Sequence, residues 1–298
     1  MSKSHSPQVT GSPRSPWGDA VREFRRNRAG LFGLGALVLI VLLALAAPLI
    51  VPHDPNQQSL GDRLSPGFWA GNTTYPLGTD NLGRDVLSRV IYGSRVSMAV
   101  GFIAIGITMA FGMTLGALSA YYGGGIDLMV QRVVDLMLIF PDLILALVII
   151  AILGPGLSKA MVAIGIVYVP RMTRLVRGSV LSVKQSTFVD AARAIGATPG
   201  RIIRVHIVPN VIGPAIVYLS LLLGDAILYA AALGFLGMGA QPPTAEWGTM
   251  LSKGRDFIIL GKWWYATFPG LAIALTVVCL NLVGDALRDA LDPQLRRY

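Results

Sequence analysis

Six long apolar runs limit the fold of this 298-residue chain more than any other feature of its sequence. A helix of about 20 apolar residues crosses the roughly 30 Å hydrocarbon core of a bilayer. In lipid the backbone must satisfy its own hydrogen bonds, and an α-helix does so within one segment. The sequence therefore predicts an all-α integral membrane protein with six transmembrane helices. The predicted spans are residues 30–51, 94–120, 128–153, 157–176, 211–237 and 267–287.

The composition favours a membrane protein and argues against several other classes. Hydrophobic residues make up 53% of the chain and charged residues only 14%, whereas a soluble domain has about 25% charged residues. The net charge of +9 comes from Lys and Arg residues between apolar runs, which is typical of membrane topology rather than of nucleic-acid binding. Cys279 is the single cysteine, and the three histidines have no ligand spacing, so the sequence predicts neither an internal disulfide nor a metal site.

The distribution of positive charge predicts the orientation of the chain in the membrane. With the N-terminus inside, the inner connections hold 17 Lys and Arg residues and the outer connections hold 8. Positive residues concentrate on the cytoplasmic side, so we expect a multi-pass protein of the cytoplasmic membrane with both termini in the cytoplasm. The predicted divisions are a disordered, basic tail (1–29), the first transmembrane helix (30–51), an extracytoplasmic loop (52–93), a five-helix core (94–290) containing a cytoplasmic segment (184–209), and a tail (291–298).

The cytoplasmic segment contains the sequence DAARAIGATPGRIIRVHIVPN, residues 190–210. Its pattern predicts two short helices, of which the first ends at Gly196. Ala191, Ala192 and Ile195 form a small apolar face. Such a helix can rest on anionic lipid headgroups. Small residues also let another backbone approach closely, and this favours docking into a groove of another protein.

This segment is similar to the signature of ABC-importer permeases, in which an acidic residue and two alanines precede a glycine and, further on, a proline. In that family the segment is the coupling helix, which inserts into a cleft of the ATP-binding subunit. The resemblance assigns this role to Asp190, Ala191, Ala192, Gly196 and Pro209, with Ile195 on the same face. Asp190 departs from the usual glutamate by one methylene group.

Other motifs resemble the C-type permeases of dipeptide and oligopeptide importers. They are FRRNRAGLFGL, LGTDNLGRDVLSRVIYGSRVS, RVVDLMLIFPDLILAL and LRDALDPQLRR. The resemblance implies the ABC type I importer permease fold, a homologous permease partner, two ATP-binding subunits and an extracytoplasmic solute-binding protein. It leaves dipeptides, oligopeptides, nickel and glutathione open as substrates. The chain has no G-x-x-x-x-G-K-[ST] motif, so we expect no cofactor on this chain and ATP and Mg in the partner subunits.

Three carboxylates fall within or near the predicted spans: Asp135, Asp142 and Asp225. A carboxylate in a membrane span is costly and usually faces a polar interior. They are candidates for lining the transport pathway, for structural pairing with arginines such as Arg132, or for relaying protons. The proton relay would make the chain a proton-coupled secondary transporter, which is the alternative function. Pro141 predicts a kink in the third span.

The outer loop carries a second group of charged residues in GTDNLGRDVLSR. Asp80, Arg84 and Asp85 are candidates for an outer gate or a contact with the binding protein, on a short outer helix beside the membrane. The alternative is a solvated loop. No Ser/His/Asp order or metal spacing accompanies these carboxylates, so the sequence predicts no catalytic residue. The aromatic residues 263–265 predict a belt at the outer membrane interface.

Overall fold

The structure, a computed structural model, describes residues 16–291, and helices dominate that range. The first helices are α1 (Pro16–Arg26), α2 (Arg28–Ile50), α3 (Val86–Tyr122), α4 (Gly124–Leu138), α5 (Asp142–Leu153) and α6 (Leu157–Lys184). The later ones are α7 (Thr187–Ala194), α8 (Pro199–Arg201), a π-helical turn (Ile202–Ile207), α9 (Val208–Phe235), α10 (Trp247–Ile258) and α11 (Trp264–Leu291). Short 3-10 turns at Leu60–Asp62 and Phe68–Ala70 lie in the loop between α2 and α3.

Four of these helices are long and apolar enough to cross a membrane. They are α2, α3, the continuous helix Pro199–Phe235 and α11, and α4 with α5 makes a fifth span if the bent pair is counted as one. The all-α membrane fold is therefore confirmed, but the helices that meet these criteria of hydropathy and length are fewer than the six predicted spans. The remaining predicted span, residues 157–176, lies in α6. Its 28 residues give a length of about 42 Å, but its second half is rich in arginine.

The third predicted span is broken rather than kinked. α4 and α5 meet at an angle of 99° across the break at Phe140 and Pro141. Pro141 has the extended ψ of 134° and begins α5 as its N-cap. A proline has no N–H to continue the preceding helix. A single continuous helix over residues 128–153 was thus the wrong prediction, although the breaking residue was identified.

The start of the described chain is also more regular than predicted. Pro16–Arg26 is helical and contacts α11 and α2, so the prediction of a disordered tail is wrong for this part of residues 1–29. Asn27 separates α1 from α2, and its side chain accepts a 2.9 Å hydrogen bond from the N–H of Gly30. Residues 1–15 and most of the predicted tail 291–298 lie outside the described residues.

Close packing of α3 against α6 holds the centre of the molecule together. A Cβ atom at Gly112 would lie 2.6 Å from Cβ of Met172, and one at Gly116 would lie 2.7 Å from the carbonyl oxygen of Thr173. The buried hydroxyl of Thr108 donates a 2.9 Å hydrogen bond to the carbonyl of Gly165. Small residues with hydroxyl bonds are how helices associate closely where no hydrophobic effect drives them together.

Candidate functional site

The segment between α6 and α9 ends its first helix with a defined cap. Gly196 has a φ of +80°, which glycine adopts without steric cost. The N–H of Ala197 donates to the carbonyl of Ala192, and the N–H of Gly196 donates to that of Arg193, each at 3.0 Å. These two bonds are the Schellman motif. Gly196 therefore ends α7 as the sequence predicted, and a second helix begins at Pro199.

The outward face of this segment is apolar and uncovered by the described chain. Ile195 is 86% exposed, and Phe188 and Val205 are about half exposed. Asp190, Ala191, Gly196 and Pro209 are also exposed.

Two predicted residues of the segment have local structural contacts. Ala192 is buried with Val189 against the helix bundle. Asp190 accepts a 3.0 Å hydrogen bond from Arg193, one turn further along α7. The uncovered face is thus made by Ile195 and its apolar neighbours more than by Ala192.

A π-helical turn connects the segment to α9. The N–H of Val208 donates to the carbonyl of Ile203, five residues earlier. Pro209 follows at the start of α9, where a missing N–H costs least. The turn continues into α9 without an intervening loop.

Three ion pairs join α6 to the broken helix pair α4 and α5. The arginines are spaced three residues apart on α6, so successive side chains lie on neighbouring parts of one helical face. The pairs are Arg171–Asp142 at 2.6 Å, Arg174–Asp135 at 2.6 Å and Arg177–Asp127 at 2.7 Å. We call them the arginine ladder. Structural pairing of the aspartates is thus observed, but their partners are on α6 and are not Arg132.

Asp142 belongs to a larger polar cluster between helices. Its Oδ2 atom also accepts a 3.3 Å hydrogen bond from the hydroxyl of Tyr229. The rings of Tyr229 and Tyr168 are in edge-to-face contact at 5.8 Å. Asp225, one turn before Tyr229 on α9, is exposed and forms no ion pair among the described residues. Of the three candidate aspartates, Asp135 and Asp142 are therefore paired with arginines, and Asp225 is exposed without an ion pair among the described residues.

The three candidate residues of the outer loop are buried. Asp80, Arg84 and Asp85 are each at most 2% exposed. The carboxylate of Asp80 accepts bonds from the N–H groups of Leu82 and Arg84 and from Nε of Arg84 at 2.7 Å. This network folds the loop into a compact turn, so a solvated loop is the wrong description.

Asp85 connects that turn to the first long core helix. It is the N-cap of α3 and accepts hydrogen bonds from the N–H groups of Leu87 and Ser88. His53 Nδ1 lies 3.4 Å from Asp85 Oδ2. The predicted short outer helix is therefore absent: the amphipathic residues after Asp85 are the first turns of α3.

The aromatic residues 263–265 hold the loop rather than form a membrane belt. Trp264 and Tyr265 are buried, and only Trp263 is exposed. The indole N–H of Trp264 donates a 3.1 Å bond to the carbonyl of Thr79, and the hydroxyl of Tyr265 donates a 3.0 Å bond to Asn81. The belt prediction is wrong for Trp264 and Tyr265, because the loop covers them.

Sequence reasoning missed Glu246, the buried N-cap of α10. Its two carboxylate oxygens accept bonds of 2.7 and 2.8 Å from the N–H groups of Gly248 and Thr249. Burial raises the pKa of Glu246 above its usual range, although these bonds act in the opposite direction. The available signal was an acidic residue directly before a helix start.

Comparison with protein families identifies two matching regions. Residues 112–297 match the binding-protein-dependent transport system inner membrane component. Residues 15–66 match the N-terminal transmembrane domain of oligopeptide transport permease C. The first region contains the candidate coupling segment and the whole arginine ladder.

Curated relatives match almost the full length of the chain. The dipeptide transport system permease protein DppC of Haemophilus influenzae is 43% identical, over 97% of this chain and 98% of that protein. DppC of Escherichia coli K12 is 45% identical, over 96% and 95%. The glutathione transport system permease protein GsiD of Pectobacterium atrosepticum is 40% identical, over 96% and 93%.

A solved structure shares the fold at lower sequence identity. Inward-facing conformations of the MetNI methionine ABC transporter match with a TM-score of 0.55 at 20% identity. The match covers 68% of this chain and 96% of the other. It supports the type I importer permease fold for the core.

The protein thus has a core of helices long and apolar enough to cross a membrane and, between α6 and α9, a segment whose apolar side chains the described chain leaves uncovered. The chain belongs to the family of binding-protein-dependent transport system inner membrane components. It is a permease subunit of an ABC importer, a non-catalytic membrane component whose ATPase is a separate subunit. It works with ABC subunits and a binding protein, as a multi-pass protein of the inner membrane.

Proposed function

We propose that this permease moves dipeptides or other short peptides into the cytoplasm. The supporting observation is its near full-length similarity, at 43–45% identity, to permeases named for dipeptide transport. In this proposal a homologous permease forms the other half of the pathway, and two ATP-binding subunits hold ATP and Mg. A solute-binding protein delivers peptide to the outer face. Both termini lie in the cytoplasm.

The coupling surface of the proposal is the face around Ile195, with Asp190, Ala191, Gly196 and Pro209 beside it. Support comes from its exposed apolar side chains and from the cap that gives α7 one conformation. Ala192 contributes from beneath, by packing α7 onto the bundle. A small residue there lets the docking helix lie close to the π-helical turn.

In the proposed transport cycle, ATP binding in trans moves α7 and, through the π-helical turn, α9. The arginine ladder makes α4, α5 and α6 move together, because sliding would separate three ion pairs. Asp142 and Asp225, with Asp135 nearer the end of α4, line the pathway between these helices. A ligand or nucleotide can shift this equilibrium only by its differential affinity for the two states.

At the outer face, Asp80, Arg84 and Asp85 act by shaping the loop that receives the binding protein. Their burial supports a positioning role rather than direct contact. Membrane lipid surrounds the apolar helix faces, and no nucleic acid takes part.

Reconstitution tests the proposed substrate and energy source. The complete importer would be placed in proteoliposomes with its binding protein, and uptake of radiolabelled dialanine would be followed. We expect uptake that needs ATP on the side of the ATPases and persists when an uncoupler abolishes the proton gradient. Uptake that follows the proton gradient without ATP would instead establish the proton-coupled alternative through Asp135, Asp142 or Asp225.

A matched pair of substitutions tests the coupling surface. Ile195→Asp places a charge on the apolar face of α7, whereas Ile259→Asp changes an equally exposed isoleucine, 93% exposed, just after α10 at the opposite end of the bundle. We expect Ile195→Asp alone to lose co-purification of the ATPases and peptide uptake. Equal behaviour of the two variants would contradict the assignment.

A further inference from the structure

A cavity of about 270 Å³ lies at the end of the bundle opposite α7. α9 runs from the coupling segment to this end, and its 28 residues span about 42 Å. The walls are the segment joining α9 to α10, the first half of α10, and the residues just before and at the start of α3. Arg84 and Arg89 line the cavity from within the fold, and Lys253 lies at its exposed rim.

The two arginines share a single carboxylate. Asp80 Oδ2 lies 2.7 Å from Nε of Arg84 and 3.8 Å from Nε of Arg89. Arg89 is only 3% exposed, and its Nε has no hydrogen-bond partner among the described residues. A buried charged donor without a partner is costly. The protein itself therefore leaves cationic hydrogen-bonding capacity unused at this cavity.

The neighbouring carboxylates are engaged elsewhere. Asp85 caps α3 and Glu246 caps α10. The remaining hydrogen bonds of Arg89 go to neutral oxygens: the backbone carbonyls of Pro55 at 2.7 Å and Pro243 at 3.4 Å, and the side-chain carbonyl of Asn56 at 3.5 Å. Neutral carbonyls satisfy donors but do not balance charge.

Lys253 adds a third cation at the rim and forms no ion pair within residues 16–291. Burial lowers its pKa, and the charges of Arg84 and Arg89 lower it further. Three cations against the one carboxylate of Asp80 leave an excess of positive charge. An anion is the ligand that would balance it.

We propose that this cavity is a carboxylate-binding site and that its ligand is the free carboxylate of a short peptide. Guanidinium groups bind planar carboxylates through two parallel hydrogen bonds. The volume is below the roughly 300–1,000 Å³ of a site for a whole drug-sized ligand, and it suits one end of a peptide. Met250 and Pro242 offer apolar contacts for a side chain, whereas the hydroxyl groups of Thr249 and Ser252 already donate to the carbonyls of Glu246 and Phe235.

This inference rests on the proposed peptide transport and places a contact for the peptide terminus at the outer end of the permease. The site is recessed, since its arginines are reached only through the cavity. A free peptide terminus can enter such a space.

Binding of dialanine to the importer without its binding protein tests the site. The purified permease and ATPase complex would be held in nanodiscs and examined by saturation-transfer NMR. Dialaninamide, which lacks the carboxylate, acetate and chloride would serve as competitors at constant ionic strength. The variants are Lys253→Gln and the control Lys159→Gln. Lys159 is exposed at the same end of the bundle. Its neighbour Gly156 donates an N–H hydrogen bond to the carbonyl of Met238, in the segment that joins α9 to α10.

We expect dialanine binding that acetate displaces and dialaninamide does not. Lys253→Gln should weaken it about fivefold, as for loss of a partly exposed ion pair, and Lys159→Gln should leave it unchanged. Four results would overturn the proposal: no dialanine binding, equal competition by dialaninamide, displacement by chloride as effective as by acetate, or equal binding by both lysine variants.

The uptake assay separates this site from the proposed function. If binding depends on Lys253 but ATP-driven dialanine uptake is absent, the proposed function fails and the carboxylate site stands. If uptake occurs but binding does not depend on Lys253, the site alone is wrong.

Discussion

Arg177 on α6 donates two parallel hydrogen bonds of 2.7 Å to the carboxylate of Asp127 on α4. Of the three pairs in the arginine ladder, this one lies nearest to the coupling segment along α6. Its fork geometry fixes the relative orientation of two helices as well as their distance. The next pair along α6, Arg174 with Asp135, has one hydrogen bond, and both side chains are exposed.

Replacing Arg177 by lysine should therefore weaken the ladder. Arg177→Lys keeps the charge and loses the two-bond geometry, and we expect a loss of about 1 kcal/mol in stability. Thermal unfolding of the purified chain in detergent measures it. Arg174→Lys is the control, with an expected effect below about 0.5 kcal/mol because its pair is exposed. A larger loss in the control would show that the geometry of the Asp127 pair has no special weight.

The conformation of Gly196 gives a second prediction. Gly196→Ala forces a side chain into a φ of +80° and should cost about 1–2 kcal/mol locally, although a Cβ there would meet open space. Gly196→Asn should cost less, because asparagine tolerates this region better. Affinity for the ATPase subunits measures the effect, with Gly200→Ala as the control in open space. Equal losses for alanine and asparagine would point to docking contacts instead of backbone strain.

Local signals in the sequence located most of the helices and the stop at Gly196, because these depend on neighbouring residues. The 99° angle at Pro141 was not predictable, since a proline specifies a break but not its direction. The arginine ladder joins residues 29 to 50 positions apart along the chain, so only the tertiary fold shows the pairing. The three-residue spacing of the arginines was the one feature of the sequence that could have indicated the ladder.

In the outer loop, local sequence signals led to a wrong prediction. Charged residues such as Asp80 and Arg84 favour a solvated loop by composition. They are buried because each satisfies the other and because Trp264 and Tyr265 pack beneath them. The same burial hid the carboxylate-binding cavity, whose cations come from the outer loop, from α3 and from α10, which is far from both in sequence.

The packing of α3 on α6 predicts a sharp difference between two glycines of one helix. Gly112→Ala places a methyl group 2.6 Å from Cβ of Met172, so the helices must move apart. We expect the free energy of unfolding to fall by about 1–3 kcal/mol, as at other overpacked sites. Gly106 meets nothing within 4 Å, and Gly106→Ala should be neutral or stabilising by reducing the freedom of the unfolded chain. Thermal unfolding in detergent compares the two, and similar losses would mean that α3 is sensitive to any added side chain.

Glu246 makes stability depend on pH. Its pKa in the folded protein is raised above the ordinary value of 4.5 by burial, so between these two values the folded state binds more protons than the unfolded state. Stability therefore falls as the pH rises through this window. Glu246→Gln cannot ionise. We expect the difference in unfolding temperature between wild type and variant to favour the wild type most below about pH 4.5 and to shrink as the pH rises towards neutrality. A wild type that gains stability relative to the variant over this range would show that the hydrogen bonds from Gly248 and Thr249 outweigh burial.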